Sequence, residues 1–124
     1  MTMTASEHIA TYAEGWSQGD AAKILKGTAE TYVFDDPNAG HITKAAFPGY
    51  LDGLKAIVED LRGGAGHNQF MELSEVVSQE DGDQVTVWCW WAIPGTDIAG
   101  SGLIKVGAEG VVSERIAYYT KLPG

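Results

Sequence analysis

From Asn68 onward the chain reads as one strand after another with little chain between them. Asn68–Gln79, Gln84–Ile93, Ile98–Gly107 and Val111–Lys121 are strand-like segments. Asp81-Gly82-Asp83, Pro94-Gly95-Thr96-Asp97 and Ala108-Glu109-Gly110 sit between them as turns. A parallel neighbour needs a crossover of about a dozen residues or more, so links this short force successive strands to pair antiparallel. The first half has a helical period instead. Thr4 and Glu7 have the spacing of a capping box, and Ile9, Tyr12, Ala13 and Trp16 form one apolar stripe behind it. Gly19-Asp20 breaks that helix, and Asp20 can cap a shorter one through Ala21, Ile24, Leu25 and Thr28. Thr43 opens a third helical pattern marked by Phe47, Tyr50, Leu51, Leu54, Val58 and Leu61, with Pro48 near its start and Gly63-Gly64 at its end. Three N-terminal helices on a curved, mostly antiparallel sheet make an α+β fold, and residues 1–124 read as a single domain. A long amphipathic helix across a strongly bent sheet encloses a conical space open at one end.

Between the second and third helices lies Tyr32-Val-Phe-Asp-Asp-Pro-Asn38. Tyr, Val and Phe favour a strand, and Pro37 ends it with Asp36 at the last extended position. Alternation places Tyr32, Phe34 and Asp36 on one face and Val33 and Asp35 on the other. If the aromatic face points inward, Asp36 stands at the lip of an apolar cavity. Burial there is expected to raise its carboxyl pKa towards that of a useful general base. The plainer alternative is that Asp35 and Asp36 cap the loop Pro37–His41.

Charge and composition close off several function classes. The net charge of −9 comes with no basic stripe, which argues against nucleic acid and anionic membranes as partners. Cys89 is the single cysteine, so no internal disulfide forms and a reducing, cytoplasmic setting is expected. The first residues lack the basic start and apolar run of a secretory signal. His8, His41 and His67 share no metal-ligand spacing with each other or with Cys89, so no metal is expected. The glycines match no phosphate loop or dinucleotide fingerprint, so no cofactor is expected either. His8 and His67 read as exposed, and His41 is a candidate titrating group at the cavity mouth.

Several aromatic groups can converge on the cone. Tyr12 and Trp16 share the inward stripe of the first helix. Trp88 and Trp90 share one face of a strand, with Cys89 and Trp91 on the other. One of these faces is pocket, and the other suits a dimer interface, where aromatic residues are enriched. Tyr118 and Thr120 share a face opposite Tyr119. A tyrosine hydroxyl facing a carboxylate is a workable acid–base pair, and tryptophans supply flat apolar walls.

Tyr12-Ala-Glu-Gly-Trp-Ser-Gln-Gly-Asp20 followed by Val33-Phe-Asp-Asp-Pro37 resembles the nuclear-transport-factor-two-like cone fold, of cystatin-like topology. That superfamily includes ketosteroid isomerases, SnoaL-like polyketide cyclases, scytalone dehydratase and limonene epoxide hydrolase. The resemblance covers nearly the whole chain and implies a cone-shaped α+β barrel. By likeness to ketosteroid isomerases, Tyr12 is the oxyanion donor and Asp36 the proton-shuttling base. The second oxyanion acid would fall near Ser101 or Gly102, where Ile98–Val106 contains no acid. Glu114–Tyr119 resembles the last strand of SnoaL-like cyclases, whose acid–base Asp would fall at Thr120. The implied activity is cofactor-independent isomerisation, cyclisation or dehydration of a small hydrophobic steroid-, terpenoid- or polyketide-like molecule. Tyr12 and Asp36 are the expected catalytic residues. Trp16, Tyr32, Phe34, Trp88, Trp90, Tyr118 and His41 are expected to contact substrate. The alternative is a ligand-binding or dimerisation module of the same fold without turnover.

Overall fold

The structure is a computed structural model that describes residues 4–64, 66–67 and 69–118. Helix α1 spans Ala5–Gln18, α2 Ala21–Lys26 and α3 Phe47–Arg62. The strands are β1 Thr28–Asp36, β2 Gly40–Thr43, β3 Glu72–Asp81, β4 Gln84–Ala92, β5 Ala99–Gly107 and β6 Gly110–Tyr118. Both expected caps are present. The Thr4 side chain accepts from the Glu7 backbone while the Glu7 side chain reaches back to Thr4, and Asp20 accepts from the Lys23 N–H. Pro48 falls in the first turn of α3, where a missing N–H costs nothing.

The six strands form one sheet in the order β2-β1-β6-β5-β4-β3. β3 to β6 make the antiparallel meander that the short turns require, and β1 joins it by pairing parallel to β6. The sheet curves without closing on itself, so helices rather than further strands complete the cone. A bulge between Ser74 and Val77, with Glu75 at φ 49°, bends β3.

Some boundaries differ from the sequence expectation. β1 begins at Thr28, four residues before Tyr32, because the second helix stops at Lys26. The loop after Pro37 is a tight turn into β2, which pairs Phe34 with Ile42 and Asp36 with Gly40. Alternation is too short over four residues to announce that strand. β3 starts at Glu72 rather than near 68. The expected start at Asn68, the expected end at Lys121, and Tyr119 and Thr120 lie outside the described residues.

The core lies between the concave sheet face and the helices. Trp16 packs against Phe34 and Phe47 at centroid distances of 5.5 and 5.6 Å, and Tyr12 and Tyr32 meet edge-on at 5.8 Å. Ile24, Phe47, Leu51 and Val58 bring α2 and α3 onto the same core. No helix among the described residues is long and apolar enough to cross a membrane.

Candidate functional site

Strand alternation in β1 sends Tyr32, Phe34 and Asp36 inward, with exposures of 1%, 1% and 4%. Asp36 therefore arrives at the rim of the cone, where Pro37 turns the chain away. Its Oδ1 accepts from the backbone N–H of Asn38 at 2.8 Å and of Ala39 at 3.3 Å. Its Oδ2 accepts from the hydroxyls of Tyr50 at 2.6 Å and Tyr118 at 2.7 Å. Asp36 thus caps the loop through one oxygen and stands at the cavity's lip with the other, while Asp35, expected to share the cap, bonds His41 instead. The expected rise in the Asp36 pKa does not occur. Burial alone would raise it, but four donors favour the carboxylate and the net shift is downward. Burial and then the bond to Asp36 push the Tyr118 hydroxyl up to about 12, and the Tyr50 hydroxyl is raised too.

Tyr50 and Tyr118 also divide two spaces. On the inner side is a chamber of about 30 Å³, lined in part by Tyr12, Trp16, Phe34, Trp91 and Glu114. That is room for one or two water molecules. On the outer side is a groove of about 1050 Å³ walled by Asp36, Asn38, Gly53, Ile57 and Asp97. Tyr50, Leu54, Ile98 and Tyr118 line both. Asp36, Tyr50 and Tyr118 come from β1, α3 and β6, so their hydrogen bonds latch three elements together across the neck.

Glu114 is the candidate site residue that the sequence reading missed. It points inward from β6 beside Phe34 and Ile104 and is 4% exposed. Tyr12 donates a hydrogen bond to its Oε1, and the Tyr12 and Tyr32 hydroxyls lie 2.8 Å apart. Burial drives the Glu114 pKa up to about 7, against the lowering effect of the Tyr12 hydroxyl. Burial and then the Glu114 charge raise the pKa values of Tyr12 and Tyr32 in turn. A Cβ at Gly102 would overlap the other Glu114 oxygen, so the bare glycine makes room for the carboxylate. A carboxylate from the neighbouring strand thus occupies the space beside Gly102. One signal was available: Glu114, Ile116 and Tyr118 alternate onto one face, an acid on an otherwise apolar side.

Of the expected contacts, Trp16, Phe34 and Tyr118 line the chamber. Tyr32 does not; it lies in the core behind Tyr12. Trp88 and Trp90 are corrected to the outer face of the sheet, where their rings stack edge-on at 4.9 Å. Their neighbours Cys89 and Trp91 take the inner face, and Trp91 is the tryptophan of β4 that reaches the chamber. His41 is also corrected: it is exposed on β2, and its Nδ1 bonds Asp35 Oδ1 at 2.8 Å away from the mouth. His8, expected to be exposed, is buried at 7%. Cys89 is buried, and its thiol is raised to about 12 by burial and then by the Glu114 charge, which leaves it unreactive. Among the described residues no group of three His, Cys, Asp or Glu is placed to hold a metal ion.

Three helices on an open, curved six-stranded sheet around an inward-facing hollow are the nuclear-transport-factor-two-like, cystatin-like fold. Three solved structures make the likeness concrete. An NTF2-like protein of unknown function from Cytophaga hutchinsonii aligns with a TM-score of 0.62 at 15% identity, over 96% of this chain and 93% of that one. TerC, co-crystallised with polyporic acid, aligns with a TM-score of 0.66 at 17% identity, over 93% and 91%. A candidate polyketide cyclase from Xanthomonas campestris aligns with a TM-score of 0.60 at 16% identity, over 94% and 90%. No protein-family profile and no curated protein matches the sequence.

Proposed function

We propose that the chain is a cofactor-independent acid–base enzyme for a small hydrophobic substrate, of the isomerase, cyclase or dehydratase kind. One observation carries this reading: two carboxylates at adjoining cavities have pKa values displaced in opposite directions. Glu114, with a pKa of about 7, can take and return a proton near neutral pH, which Asp36 as a low-pKa carboxylate does poorly. The general-base role first suggested for Asp36 therefore passes to Glu114. Tyr12, expected to donate to an oxyanion on the substrate, donates to that acid instead. Asp36 stays ionised and holds Tyr50 and Tyr118 at the neck. Substrate enters by the groove, and its reacting end displaces the contents of the chamber as the latch opens. TerC with polyporic acid and the candidate polyketide cyclase support a ligand of this general kind.

The test is proton exchange. A panel of steroid, terpenoid and polyketide ketones in D₂O is followed by NMR for deuterium uptake at carbon. Uptake should rise with pH through about 7 as Glu114 ionises, and Glu114→Gln should abolish it. Equal uptake by wild type and Glu114→Gln would refute the assignment. The small chamber favours one other reading, a ligand-binding or dimerisation module without turnover, which an absence of exchange across the panel would support.

A homodimer through the sheet belongs to the same proposal. Val77, Trp88 and Leu103 lie in register on the outer face, with Trp90 alongside. On β4 to β6 that face carries Lys105 and Arg115 and no acid, in a chain of net charge −9. Asp35 beside Arg115, and Glu72 and Asp81 on β3, flank this patch on the same face, so acids of one copy can meet Lys105 and Arg115 of the other. Sedimentation should give twice 13.2 kDa, and Leu103→Asp should give the monomer.

A further inference from the structure

Resting on the chamber as the ligand site, we propose that the indole N–H groups of Trp16 and Trp91 bind an oxygen of the ligand. The ligand class that follows is an uncharged, apolar carbonyl compound inserted carbonyl first. A census of donors leads there. Five tyrosine and tryptophan side chains line the chamber: Tyr12, Tyr50, Tyr118, Trp16 and Trp91. The Tyr50 and Tyr118 hydroxyls are spent on Asp36. The Tyr12 hydroxyl is spent within its chain to Glu114 and Tyr32. The two indole N–H groups remain, and each is buried and meets no acceptor within the described residues. Trp16 and Trp91 are 4% and 5% exposed, so bulk water does not satisfy them.

A buried donor without an acceptor is destabilising, and native structures rarely keep one without cause. Here the two rings that carry such donors line one small space, one from α1 and one from β4. Both are held in place. Trp16 is wedged among Tyr12, Phe34 and Phe47 at 6.4, 5.5 and 5.6 Å. Trp91 stacks edge-on against Tyr118 at 5.7 Å and lies over Gly100, where a Cβ would come within 2.6 Å of its Cζ2. Two fixed donors beside one apolar chamber can be satisfied together by a carbonyl oxygen, which has two lone pairs. Should Glu114 draw a proton from the adjacent carbon, the same N–H groups would meet the negative charge gathering on that oxygen. Charge excludes the other oxygen-bearing class. Asp36 and Asp97 wall the groove and Glu114 lines the chamber, so a carboxylate ligand is repelled along its whole route.

The probes are 1-tetralone and tetralin, alike in shape except for one carbonyl oxygen. Binding is followed by NMR on protein labelled with ¹⁵N at its indoles. We expect 1-tetralone to bind at least about tenfold tighter and to shift the Trp16 and Trp91 indole signals downfield, leaving Trp88 and Trp90 in place. Trp91→Phe and Trp16→Phe should each reduce the preference by about threefold to tenfold. Should either variant fail to fold, the wild-type shifts still decide. Equal affinity for the two probes, or ketone-specific shifts confined to Trp88 and Trp90, overturns the donor role. Tetralin bound in the groove with one end at the chamber, without a ketone preference, leaves the ligand site standing. Binding of neither probe there overturns both readings.

Discussion

Glu114→Gln should make the protein more stable at alkaline pH, and the size of the effect follows from burial. In the unfolded chain this carboxyl titrates near 4.5, and in the folded protein it is raised to about 7. Below pH 4.5 both states hold the proton and the group favours neither. Between 4.5 and 7 the folded protein keeps a proton that the unfolded chain gives up, so stability falls as pH rises. Above 7 the full penalty is present and the slope levels off. At about 1.4 kcal/mol per unit, the loss between pH 5 and pH 8 is roughly 2 to 3 kcal/mol. Glutamine has nearly the same shape and can still accept from Tyr12, but it does not titrate. Asp36 adds no slope in this window: its pKa lies below 3.8, so it is ionised in both states. Urea unfolding of both proteins at pH 5, 6, 7 and 8, followed by tryptophan fluorescence, gives the difference directly, since the other titrating groups are shared. The variant should gain on wild type by that amount across the series. Parallel curves would show that Glu114 is not raised, and the acid–base reading would fall with it.

Two further outcomes follow from the same geometry. Gly102→Ala places a methyl group where the Glu114 carboxylate lies, so the acid must swing away from Tyr12; a stability loss of about 1–3 kcal/mol is expected in urea, and a neutral result would refute the close approach. Tyr118→Phe removes one of the four donors on Asp36, so its carboxyl should titrate at higher pH by carbon-13 NMR, and an unmoved titration would show that Tyr118 does not hold it.

The architecture was legible because turn length and hydrophobic period are local quantities. Short links dictate antiparallel neighbours wherever they occur, and Thr4, Asp20 and Gly63 mark helix ends without reference to the rest of the chain. The site was legible only where a local rule reached it. Proline after Asp36 ended β1, and alternation put Tyr32, Phe34 and Asp36 on one face. Alternation also separated Trp88 and Trp90 from Cys89 and Trp91, but it cannot say which face is inside. That depends on where α1 and α3 pack, a tertiary fact. The pKa of Asp36 had the same difficulty. Two of its four donors come from Tyr50 and Tyr118, which lie 14 and 82 residues away along the chain. Glu114 shows the limit most plainly, because its cradle is a missing side chain on the next strand.

The ladder between β1 and β6 has a consequence for how the chain reaches its native state. Val33 pairs with Ser113, a sequence separation of 80 residues, and the β1–β6 ladder that includes this pair joins the N-terminal part of the sheet to the meander. During synthesis the aromatic stripe of α1 and the inward face of β1 therefore have no sheet to rest on until nearly the whole chain has emerged. Closing so long a loop is slow, and it precedes the contacts that reward it. A nascent chain stalled before Gly110 should expose Tyr12, Trp16 and Phe34 to chaperones, and its release should be followed by folding in one concerted step.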